Sequence, residues 1–175
     1  MHIRRGVLAL GAIALMAFLA IGSARADDYN WTGDFALGDP AVQETHNDAE
    51  PYGGWINVSI TNTGTEPWGD FHFELFSVGE DISNIDFLVD PPYEPTSSQS
   101  PLTWVVDNVS VGAKIDLFYY SDAVLPGETA NFSVFTDNQD EVSFFGVMFY
   151  PTPVPEPASL ALFGIGLLAL RRRRR

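Results

Sequence analysis

Ile56-Asn57-Val58-Ser59-Ile60-Thr61 decides the fold class. Apolar and polar side chains alternate without a break. A period of two puts Ile56, Val58 and Ile60 on one face of an extended strand and Asn57, Ser59 and Thr61 on the other. Asn62-Thr63-Gly64-Thr65 follows and reads as a turn, with Gly64 free to take a positive φ. The same alternation returns at Phe71, Phe73 and Leu75 against His72 and Glu74, and at Ile115, Leu117 and Tyr119 against Asp116.

Working outward, short strands are expected over 84–89, where Asp90-Pro91-Pro92 breaks the run, and over 102–107 around Trp104. A Leu125-Pro126-Gly127-Glu128 turn feeds Ala130, Phe132 and Val134, and residues 142–150 form a last strand, apolar on both faces. Residues 93–101, rich in Pro and Ser, read as a long loop, and 27–53 as a weakly patterned stretch with one edge strand around 31–37. Residues 151–154 read as a short, stiff linker. No helical period of useful length appears between residues 27 and 150. About seven or eight short strands with regular turns predict an all-β domain over 27–150, a single antiparallel β-sandwich. The Thr61-Asn62-Thr63-Gly64 turn and the run from Leu125 to Val134 resemble immunoglobulin-like or fibronectin-like extracellular modules.

Charge is distributed unevenly. Between residues 27 and 155 there are 22 acids and one base, Lys114. Such a surface repels nucleic acid and anionic membranes and keeps the protein in solution. Cysteine is absent, so the domain must hold by burial alone.

Catalytic patterns are sparse. No Gly-x-Ser-x-Gly elbow and no phosphate-binding glycine loop appears in the domain. With so many acids, some carboxylate pair meets any glycosidase spacing by chance, so pairs carry no information. His72 and Glu74 share a strand face and would need a third ligand to seat a metal; His46 lies in a polar loop, and no metal site is assigned. Asp137, Asp140 and Glu141 concentrate oxygen ligands in a turn that could attract calcium, but the spacing of the twelve-residue calcium loop is absent. Trp55 and Trp104 fall within strands and are expected in the core, whereas Trp68 and Tyr93 fall in a turn and a loop and are the candidates for stacking on sugar rings.

The two ends read differently from the middle. Arg4 and Arg5, an apolar stretch over 7–21, and small residues at Ala24 and Ala26 give the plan of a secretory signal peptide over 1–26, cut before Asp27 by signal peptidase. At the other end, Val154-Pro155-Glu156-Pro157 precedes a 13-residue apolar run, 158–170, and then Arg171, Arg172, Arg173, Arg174 and Arg175. As a helix that run spans roughly 20 Å, short of a ~30 Å hydrocarbon core, and the arginines hold its end in the cytoplasm.

This tail, taken as 155–175, resembles the PEP-CTERM sorting signal of Gram-negative bacteria. The resemblance implies recognition by a membrane-embedded exosortase and cutting near the Pro155-Glu156-Pro157 element. It also implies an inner-membrane-tethered intermediate, a final place at the cell surface or outside the cell, and an association with exopolysaccharide and biofilm material. The expectation is therefore an exported, non-catalytic surface or matrix protein without a cofactor. The alternative is a carbohydrate-binding module on exopolysaccharide, and a hydrolase stands behind both.

Overall fold

A computed structural model describes residues 28–154. The predicted signal peptide over 1–26, the apolar helix over 158–170 and the arginine cluster lie outside the described residues. Among the described residues no helix is long and apolar enough to cross a membrane. The described residues are all-β, with ten strands in two sheets: β1 (Tyr29–Phe35), β2 (Val42–Asn47), β3 (Gly53–Asn62), β4 (Trp68–Phe76), β5 (Ile85–Leu88), β6 (Thr96–Ser97), β7 (Thr103–Asp107), β8 (Lys114–Phe118), β9 (Thr129–Asn138) and β10 (Phe144–Pro153). The first sheet runs β1-β3-β9-β5, with β6 also on β9; the second runs β2-β10-β4-β8-β7.

The alternating residues of β3 behave as expected. Ile56, Val58 and Ile60 are buried, and opposite them β9 buries Val134, Phe132 and Ala130. The second sheet contributes Phe71, Phe73 and Leu75 from β4, Ile115 and Leu117 from β8, and Phe145, Val147 and Phe149 from β10 to the same core cluster. Phe71 of one sheet stacks on Phe132 of the other, with ring centroids 4.4 Å apart. Each such side chain contributes about 1.5–3 kcal/mol by leaving water, which supplies a cysteine-free domain with its cohesion.

Five expectations about the fold need correction. Residues 27–53 give two strands rather than one, because β1 edges the first sheet while β2 crosses to edge the second. That crossover returns the chain to β3 in the same direction, so β1 and β3 pair in parallel and the fold is not purely antiparallel. Residues 93–101 are not all loop, since Thr96 and Ser97 pair with β9. Gly64 does not take a positive φ, because the Asn62 side chain builds the turn itself by accepting from the Gly64 N–H at 2.9 Å. The Asn62 amide also donates to Glu66 O and Val124 O, at 2.9 and 3.0 Å, while fully buried.

A fifth correction concerns residues 151–154. Two prolines in three residues suggested a linker, yet β10 continues through Pro153 and pairs Pro151 with Phe71. Strand β2 pairs with β10 only as far as Phe149, so beyond it β10 is an edge, where a missing N–H costs nothing. The fold therefore holds the chain as far as Val154, whose N–H reaches Pro67 O at 3.3 Å.

Close packing continues on the outer face of the second sheet. A Cβ on Gly146 would stand 2.2 Å from the Phe76 ring, which lies across it. Gly146→Ala is expected to push that ring aside and destabilise by about 1–2 kcal/mol, read as a lower urea midpoint at unchanged slope.

Candidate functional site

The outer face of the second sheet carries the densest polar cluster among the described residues. Strand register builds it in rows. Thr152, Asp70 and Phe118 lie side by side on β10, β4 and β8; Tyr150, His72 and Asp116 form the next row, and Met148, Glu74 and Lys114 the third. These residues share a face because each row is two residues from the next.

His72 sits between two carboxylates. Its Nδ1 is 2.6 Å from Asp116 Oδ1, and its Nε2 is 3.4 Å from Asp70 Oδ1, an ion-pair distance without hydrogen-bond alignment. Tyr150 stacks on the imidazole with centroids 5.0 Å apart. Burial by itself would lower the His72 pKa, but the close contacts with Asp70 and Asp116 and the charges of both carboxylates outweigh it and raise it. Burial likewise would raise the Asp70 pKa; the His72 contact and hydrogen bonds from the Thr152 hydroxyl and N–H outweigh it and lower it. The imidazole is thus held between two carboxylates that favour its protonated form. Nearby, Lys114 Nζ is 3.0 Å from Glu74 Oε2 and the Tyr150 hydroxyl donates to Glu74 Oε1 at 3.0 Å. Burial, followed by that bond to Glu74, pushes the Tyr150 phenol up to about 12.

Beside Asp70 the face opens into a groove of about 550 Å³ lined by Pro101, Thr103, Phe118, Tyr120 and Ser121. Tyr120 belongs to a single 3₁₀ turn, Tyr120–Asp122, that follows β8. It is 45% exposed, and its ring meets that of Phe118 at 5.7 Å with a 36° tilt. A Cβ on Gly69 would fall 2.4 Å from the Tyr120 ring, so glycine there lets the ring lie on the β4 backbone. The Tyr120 hydroxyl reaches Asp70 Oδ2 at 3.3 Å.

Trp68 is not an exposed platform. It is fully buried, edge-on to Phe35 at 5.9 Å, and its indole Nε1 has no acceptor. The reason is a β-bulge. Thr152 pairs with Asp70 but Pro153 pairs with Trp68, so Gly69 is an extra residue in β4 and turns Trp68 inward. Tyr93 is half-buried on the other sheet and packs on Phe135 at 4.2 Å. Trp55 also meets Phe135, at 5.4 Å, and is half-buried rather than in the core; Trp104 is half-buried and packs against the core cluster.

His72 and Glu74 do share a face, as predicted, but each is engaged with a different partner. Among the described residues no group of three or more His, Cys, Asp and Glu could hold a metal ion. His46 is buried and packs edge-on against Phe145 at 5.1 Å. Asp137 lies in β9, one residue before its end, rather than in the turn, and the two Asp140 oxygens accept from Asn84 N and Nδ2 at 2.9 and 2.6 Å. Glu141 holds a positive φ of 53°. Sequence reasoning missed Asp70, Asp116, Phe118, Tyr120, Tyr150 and Thr152. The period-two polar residues of β4 and β8 were the signal, but only the pairing register brings them together.

Val154 is where the described fold hands over to the tail. Pro155, Glu156, Pro157 and Arg171 to Arg175 lie outside the described residues, as do Ala24, Ala26 and Asp27. In sequence, residues 153–175 match the family model of the PEP-CTERM protein-sorting motif. This chain carries a PEP-CTERM motif. The motif supports export and exosortase sorting, and its first residue, Pro153, is the last residue of β10. Comparison of the PEP-CTERM chain with curated proteins and with solved structures finds no match.

Proposed function

We propose that this PEP-CTERM protein is a non-catalytic component of the cell surface or extracellular matrix, handled by signal peptidase and exosortase and finally associated with exopolysaccharide. The observation that carries the reading is the sorting motif itself, joined without a free spacer to a β-domain of two facing sheets, which we read as a β-sandwich. Deleting residues 155–175 is expected to leave the protein in the periplasm, and its recovery at the surface in normal amounts would refute the reading.

The clamped imidazole favours a structural role. Two carboxylates that favour the protonated form of His72 oppose a general-base role, and the Thr152 hydroxyl donates to Asp70 instead of pointing a nucleophile at His72. No cation is part of the reading, because Asn84 already occupies the Asp140 carboxylate. The melting temperature is expected to be the same in millimolar calcium and in EDTA; a rise with calcium would assign a site near Asp137, Asp140 and Glu141.

A carbohydrate-binding reading is favoured by one observation, the Phe118–Tyr120 groove. Two tilted rings on an open, ordered face are suited to the flat apolar side of a sugar ring.

A further inference from the structure

We infer that the Phe118–Tyr120 groove binds a glycan bearing free, protonated amino groups, such as a deacetylated hexosamine chain. This rests on the carbohydrate-binding reading and specifies its ligand.

Shape and charge both point to this ligand. Tyr120 is fixed before any ligand arrives, its ring seated on Gly69 and its hydroxyl beside Asp70, so little ordering is left to oppose binding. Phe118 adds the second ring, and Pro101 and Thr103 complete the wall. Three carboxylates stand beside the residues of this shelf. Asp70 Oδ2 is 3.3 Å from the Tyr120 hydroxyl, Asp116 precedes Phe118 by two residues on the same face of β8, and Asp122 closes the turn that carries Tyr120. The His72 charge lies between Asp70 and Asp116, which leaves that trio net negative. Lys114, the one lysine between residues 27 and 155, is held by Glu74 a further row away.

An ammonium group near aromatic faces and a net-negative cluster of carboxylates gains from both. A uronic-acid polymer would meet like charge instead. Neutral sugars could stack but would leave the charge unused. The ligand class follows from that difference.

The test is calorimetric titration of the purified protein at about pH 6, where such an amine is protonated. The probes are the trimers of glucosamine, N-acetylglucosamine and galacturonic acid. The glucosamine trimer is expected to bind at least tenfold more tightly than the N-acetylated one, and the galacturonate not at all. Tyr120→Ala is expected to weaken glucosamine binding at least tenfold and Tyr120→Trp to restore it, with unchanged melting temperatures showing that each variant folds. Equal affinity for the glucosamine and N-acetylated trimers overturns the inference while the carbohydrate-binding reading stands. Absence of binding by all three trimers removes both. Glucosamine binding that Tyr120→Ala leaves untouched is attraction to the acidic surface at large and also overturns the site.

Discussion

Trp68→Ala is expected to destabilise the domain by about 4 kcal/mol, the upper range for a single truncation. Trp68 is fully buried where β4 begins, and its backbone is bridged in both directions to Val124 at 3.1 and 3.0 Å. Truncation leaves a cavity against Phe35 that the two sheets cannot close without moving apart. Trp68→Phe should cost far less, under about 1.5 kcal/mol. It keeps an aromatic ring and removes an indole N–H that has no acceptor. Urea unfolding of the two variants measures both. An exposed Trp68 would give an alanine effect within about 0.5 kcal/mol, so the experiment also decides whether the bulge at Gly69 turns the side chain inward.

Asp70→Ala is expected to cost about 3 kcal/mol near neutral pH. It removes a partner from His72 and strands the Thr152 hydroxyl and N–H, all at partly buried positions. The pH dependence carries the sign of each group. Asp70 has a lowered pKa, so its contribution is present above the unfolded carboxylate value and is lost as pH falls through the folded one. His72 has a raised pKa, so its contribution is full below the unfolded imidazole value and is lost as pH rises through the folded one. The trio therefore stabilises most between about pH 4 and 6.5. In Asp70→Ala the acid limb should flatten, and the alkaline loss should become smaller and end at lower pH, because Asp116 alone supports the protonated imidazole. An alkaline limb that does not move would show that Asp70 does not hold the His72 proton.

The fold class was legible in the sequence because β3, β4, β8 and β9 bury one face and wet the other, which leaves a period of two. Strand β1 was half visible and β2 invisible: Val42, Glu44 and His46 line one face without an apolar pattern. The end of β10 was hidden for a different reason. Its prolines look like a linker until the neighbouring strand is seen to have stopped.

The site was harder to read. Trp68 turns inward where local sequence suggested an exposed platform, Tyr120 lies exposed beside it, and Gly69 is the cause of both. As the bulge residue it sends Trp68 into the core, and without a Cβ it receives the Tyr120 ring. No local pattern announces an extra residue in a ladder, since that depends on which strand lies opposite. The Asp70, His72 and Asp116 trio has the same dependence, joining residues on β4 and β8 through their register. The sorting motif needed no fold to be recognised, because an enzyme in the membrane is expected to read it as linear sequence.

The most direct measurement is the intact mass of the protein recovered from the outer surface of its host. The account predicts a chain that starts at Asp27 and ends close to Pro155-Glu156-Pro157, without the apolar run or the five arginines. A mass that retains both ends would contradict it.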